Sequence, residues 1–192
     1  MMKVRSILSV MATLTILGIG AFIKPQFVSA EPASIFRPLL RDIQRQLPRG
    51  MVMRLPAAIP NPPSGIPGYR PTIIPSNDRE GGYFGIVLVT SNCPETRLVA
   101  VCDTGRIIVE KRNSNTNQRL REDQQQGSSI KLKTGVRGFY RSYIQPTRGQ
   151  MNEISWEQDG MIFRVMSRSM SQEQVINVAI SMANELPIKP TN

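Results

Sequence analysis

The chain has 192 residues, with 24 Lys and Arg against 14 Asp and Glu, two cysteines and no histidine. Without histidine the commonest general base is missing, so Ser-His-Asp and Cys-His catalysis are excluded. A formal charge of +10 favours acidic partners, but the basic residues are spread along the chain, as solubility alone also produces.

Residues 1–30 read as an export signal. Lys3 and Arg5 form a basic start, Ser6 to Ile23 is an uncharged apolar run, and Val28-Ser29-Ala30 places small residues at a cleavage site. The alternative is an uncleaved anchor, since eighteen apolar residues are just long enough to span. Cleavage near Ala30 makes the product periplasmic or secreted; without cleavage it stays membrane-anchored. Removal takes away Lys3, Arg5 and Lys24 and no acid, leaving 162 residues with 21 basic and 14 acidic side chains. That length suits one exported α+β domain over residues 31–192. Its expected partners are an envelope protein, a wall polymer or anionic lipid. Export disfavours a nucleic acid.

Ala33 to Leu47 reads as a short amphipathic helix, with Phe36, Leu39, Leu40, Ile43 and Leu47 opposite Arg37, Arg41 and Arg45. It either docks on a sheet or lies on a membrane surface. Met51 to Leu55 is a candidate first strand. Residues 56–75 hold seven prolines and two glycines, a composition that favours extended segments and turns. A proline-rich ligand is the other reading of that stretch.

Gly82 to Ser91, Leu98 to Cys102 and Arg106 to Lys111 read as strands, with Asp103-Thr104-Gly105 as a turn. Cys93 and Cys102 are read as a disulfide between these neighbours, which suits export. The alternative is a metal pair completed by carboxylates, an uncommon set without histidine. Residues 113–129 are polar with no hydrophobic period and read as a mobile loop. Ile130 to Leu132 and Val136 to Ile144 resume the strands, with Gly135 and Gly138 marking turns or close approaches.

Asp159-Gly160 is a two-residue turn signal. It pairs Ile154 with Val165, Ser155 with Arg164, Trp156 with Phe163, Glu157 with Ile162 and Gln158 with Met161. One face then carries Ile154, Trp156, Met161, Phe163 and Val165, and the other carries Ser155, Glu157 and Arg164, with Ile162 among them. A diagonal Glu157–Arg164 contact is expected on that second face. Ser171-x-x-Gln174 has capping-box spacing, with Ser169-x-x-Gln172 as a rival start. Val175, Ile176, Ala179, Ile180, Met182, Ala183 and Leu186 form the apolar stripe that follows.

These residues resemble the end of a secreted bacterial domain family of unknown function. That family occurs in extracytoplasmic parts of anti-sigma-type and sporulation-related membrane proteins and as single-domain exported proteins in cyanobacteria. The resemblance rests on Trp156, Asp159-Gly160, Phe163, Ser171, Glu173, Val175, Ile176, Ala179 and Ser181, with Met53 to Pro60 and Lys133 to Tyr140 similar to its opening and middle. The cysteine pair also fits the cyanobacterial version. The resemblance implies a curved antiparallel sheet packed on a C-terminal helix and carries no catalytic residues.

The carboxylate pairs Asp78/Glu80, Glu122/Asp123 and Glu157/Asp159 fall in expected loops or turns and read as solvated surface. No cofactor or metal is expected. The function read from the sequence is a non-catalytic exported binding module, folded as a monomer. Arg137, Arg141 and Arg164 on the sheet's open face form its candidate ligand surface, assisted by Arg119 and Arg121. Trp156, Phe163, Val175 and Ala179 are its core signature. Two alternatives differ in what they require: a lipid carrier needs an apolar cavity between sheet and helix, and a carboxylate-based hydrolase needs two acids in a cleft.

Overall fold

The computed structural model describes residues 31–191 apart from 63, 66, 75–81, 95–101 and 147–148. The segment Leu98 to Cys102, except Cys102 itself, and the pair Asp78/Glu80 lie outside the described residues. The fold is α+β. Among the described residues, seven antiparallel strands form one open curved sheet: β1 (Tyr69–Ile74), β2 (Tyr83–Thr90), β3 (Asp103–Lys111), β4 (Ser128–Lys133), β5 (Val136–Gln145), β6 (Gly149–Gln158) and β7 (Met161–Ser167). Their order across the sheet is β1-β2-β3-β7-β6-β5-β4. A 3-10 turn (Ser34–Leu39) leads into α1 (Leu40–Gln46); α2 (Ser114–Gln126) connects β3 to β4, and α3 (Gln172–Asn184) follows β7.

The β6–β7 hairpin has the register its turn dictates. Asp159 and Gly160 take φ of 55° and 71°, as a type I′ turn requires. Trp156 lies directly opposite Phe163, the rings stacked with centroids 5.4 Å apart. Ser171 caps α3 with the full capping box to Gln174. Val175, Val178, Ala179, Met182 and Ala183 are its buried face. Leu186 lies beyond the helix, which ends at Asn184, and is 67% exposed.

The core fills the space between one sheet face and the helices. Phe84, Ile86, Ile107, Val109, Ile154, Trp156 and Phe163 come from the strands, Phe36 and Ile43 from the N-terminal turn and α1, and the buried face of α3 closes it. Gly138 lies close against this face: a Cβ there would sit 3.0 Å from Leu132 Cδ1 and 3.1 Å from Ile154, so those side chains would have to shift by a few tenths of an ångström to admit it. The disulfide Cys93–Cys102 is formed, with a Cα–Cα distance of 5.9 Å, so neither thiol is available to a metal.

Four expectations change. Met51 to Leu55 is not a sheet strand; only Met53 bridges, to Ile188, while Met51, Met53 and Leu55 bury themselves against the core. The proline-rich stretch does contain a strand, β1, because a sheet edge tolerates a residue that donates no hydrogen bond, here Pro71. Asp103-Thr104-Gly105 opens β3 instead of turning, and the β2–β3 ladder shifts register at Leu88/Val89. Residues 113–129 are not a loop but largely α2, whose physical basis matters for the site.

Candidate functional site

The helix α2 starts from an Asn113/Thr116 capping box. The Asn113 side chain accepts from the Thr116 amide at 2.9 Å, and the Asn113 amide donates to Thr116 Oγ1 at 2.9 Å. Its body is rich in good helix formers, and Gln118 donates to Glu122 one turn on at 3.0 Å. Only Thr116, Leu120 and Asp123 are buried. Those positions share one face at i, i+4 and i+7, but a single one is apolar, so no hydrophobic period shows.

That face lies over the sheet side opposite the core and covers a knot of charge. Arg164 of β7 is fully buried. Its Nη1 donates to Glu153 Oε1 at 2.5 Å and to Asp123 Oδ2 at 3.0 Å, and its Nε donates to Glu110 Oε2 at 3.0 Å. Ser155 Oγ donates to Asp123 Oδ2 at 2.7 Å. Arg141 pairs with Asp123 at 3.0 Å and with Glu153 at 3.6 Å. Arg119 reaches Glu110 from the rim at 3.2 Å. Three carboxylates thus meet three guanidiniums across four strands and a helix. Burial alone would lower the Arg164 pKa, but Glu153, Asp123 and Glu110 outweigh it and hold the pKa above its ordinary value. The Nη2 of Arg164 has no hydrogen-bond partner among the described residues.

Tyr143 completes the knot, donating to Glu153 Oε2 at 2.7 Å beneath the Arg141 guanidinium, which lies 4.9 Å from the ring centroid. Burial first, then the Glu153 charge and hydrogen bond, push its pKa from 10.0 up to about 12. A phenol held protonated in the folded state favours folding fully below its ordinary value. That contribution fades as pH rises through the folded one. Stability is therefore expected to fall between pH 10 and about 12. Tyr143→Phe should shrink that fall and remove the latest-ionising component from a tyrosinate absorbance titration; an unchanged titration curve would count against the assignment.

The candidate arginines therefore separate. Arg164 is no ligand surface: it is fully buried under α2. Arg141 and Arg119 are committed to carboxylates. The Glu157–Arg164 diagonal does not form, because Arg164 turns toward the buried acids and Glu157 pairs with Arg112 at 2.6 Å. Asp123, read as solvated, is 1% exposed, since helix formation turns it inward. Arg121 and Arg137 are exposed, and neither has an acidic partner among the described residues.

Arg137 stands in a second cluster that sequence reading found only in part. On β4, Lys131 lies directly opposite it in the β4–β5 ladder, and both are exposed. Lys131 likewise has no acidic partner among the described residues. Lys133, half-buried, completes the triad. Its pKa is lowered by burial and then by the nearby Arg54 charge, against Asp159. These three residues, with Ser129, Thr134, Gly135 and Val136, line an open depression of about 860 Å³ at the hairpin end. The alternation of Lys131 and Lys133 on an edge strand was the available signal.

Of the carboxylates paired in the sequence, Asp123 meets Arg164 and Arg141, Glu157 meets Arg112 and Asp159 meets Arg54. The interval between sheet and α3, where a lipid would lie, is occupied by Trp156, Ile154, Val175, Ala179 and Met182. Comparison with family models, with curated proteins and with solved structures finds no match to this chain.

Proposed function

We propose that the protein is a non-catalytic, exported binding module that takes an anionic partner on the β4–β5 hairpin. One observation carries this. Lys131 and Arg137 are directly opposite, exposed and without an acidic partner among the described residues, while Arg119, Arg141 and Arg164 on the same sheet side are all paired. Like charges opposite each other across a ladder destabilise it, and a bound anion would relieve that cost. The disulfide and the signal-like residues 1–30 are in keeping with an oxidising compartment outside the cytoplasm. An envelope protein, a wall polymer and anionic lipid are the partner classes that such a setting offers.

The test is the Lys131→Glu/Arg137→Glu double variant, titrated with salt against polyglutamate and against vesicles rich in anionic lipid. Reversal at these positions should weaken binding by about tenfold or more. Arg41→Glu/Arg49→Glu, at exposed sites on and just beyond α1, changes net charge equally and should have much less effect. Equal losses from the two double variants would reduce the binding to overall charge and defeat the reading.

A further inference from the structure

The β4 strand is the last in the sheet and pairs with β5 alone. Among the described residues, Ser128 to Lys131 make no backbone-to-backbone hydrogen bond outside that ladder, and at the far end of the strand the Leu132 carbonyl accepts from Asn184 Nδ2 at 3.3 Å. An antiparallel edge of this kind leaves alternate N–H and C=O groups facing outward. The opposite edge is protected differently: β1 contains Pro71, and the Ser34–Leu39 turn packs against it. On β4 there is no proline, and Ser128, Ser129 and Lys131 are exposed.

Lysines on an edge commonly serve to repel stray strands. That purpose explains Lys131 but not Arg137 set directly opposite it, which adds repulsion within the protein itself. A cation pair beside an open edge is instead complementary to an incoming strand that carries acids. Resting on the anionic reading above, we infer that the partner is an extended peptide with alternating acidic and apolar residues, added as a further strand along β4.

The alternation follows from register. Side chains on a strand alternate between faces with period two. Ser129 and Lys131 lie on the α2 side of the sheet, whereas Ile130 points to the core side and is only half-buried. A strand laid about 4.7–4.9 Å away puts every second side chain beside Lys131 and the intervening ones beside Ile130. Acids suit the first set and apolar groups the second. Backbone hydrogen bonds then supply affinity and the two faces supply selectivity, the usual division in strand addition.

The experiment uses the disulfide-bonded protein and two peptides of equal charge, one an alternating Glu-Val octamer and the other its counterpart methylated on every backbone nitrogen. Methylation removes the backbone donors from both edges of the peptide, so the second peptide cannot extend the ladder. Calorimetry should give at least about tenfold tighter binding for the unmethylated peptide. Amide hydrogen exchange should slow at residues 128–131 in its presence and stay unchanged in β1. Equal affinities, or tight binding without protection of β4, would overturn strand addition while leaving the anionic reading standing. Failure of both peptides and of the anionic vesicles to bind would overturn both.

Discussion

Arg164→Met should destabilise the protein by about 3–5 kcal/mol, because it leaves buried carboxylates without their cation. Asp123 and Glu153 are 1% and 2% exposed and share the Arg164 Nη1, so neither can turn to solvent when it is lost. Arg141 remains, but it is partly exposed and cannot replace three well-placed donors. Equilibrium urea unfolding followed by circular dichroism measures the loss. Adding Asp123→Asn and Glu153→Gln to Arg164→Met should recover part of it, since the penalty lies in unpaired charge more than in missing attraction. A single-variant loss below about 1 kcal/mol, the level of an exposed pair, would show that the cluster is not functioning as a buried one. Alkaline titration is no substitute for the variant. The Arg164 pKa is raised, so its contribution persists below the ordinary arginine value and fades only as pH rises through a still higher one.

Trp156→Ala is the other large effect, at about 3–5 kcal/mol. The indole is fully buried between the sheet and α3, stacked on Phe163. Its Nε1 donates to Gln158 Oε1 at 3.3 Å, and Gln158 Nε2 in turn donates to the Ala183 carbonyl of α3 at 3.1 Å. Truncation therefore opens a cavity and slackens the polar tie between hairpin and helix. Trp156→Phe keeps the stacked ring and loses only the tie and some volume, so its cost should be clearly smaller. Trp156 is the sole tryptophan, so unfolding must again be followed by circular dichroism. If alanine and phenylalanine cost the same, the site is less tightly packed than its burial indicates. Against a total stability of 5–15 kcal/mol for a typical domain, either large loss takes much of the margin.

What the sequence disclosed was local in origin. Asp159-Gly160 sets its own register, Ser171 and Gln174 satisfy each other three residues apart, and the α3 stripe repeats within a few turns. The core signature was therefore readable, and with it the α+β arrangement. The helix α2 was hidden because its inward positions are Thr116, Leu120 and Asp123, a face that buries charge instead of hydrocarbon. Arg164 was placed on the correct side of the sheet, yet its burial depends on acids from β3, α2 and β6. No window of sequence contains that set. Met51 to Leu55 has strand-like residues, but its backbone pairs only at Met53 with the chain beyond α3. Arg137 was read with Arg141 and Arg164 as part of the open face; that Lys131 is its direct neighbour follows from the hairpin register, which a bulge between Lys131 and Lys133 shifts.

The strand order divides the sheet into two meanders, β1-β2-β3 and β4-β5-β6-β7, lying edge to edge along the β3–β7 ladder. Within each meander neighbours in space are neighbours in sequence. Across the seam even the nearest partners, Lys111 and Met161, are fifty residues apart. Closing so long a loop carries more entropy cost than any hairpin within the second meander, though the cost grows only as the logarithm of length. The charge knot straddles this seam: Glu110 comes from one meander, Arg141, Glu153 and Arg164 from the other, and Asp123 from the helix that joins them. Mechanically it is a clasp at the join, so the two halves of the sheet cannot part without first separating buried opposite charges.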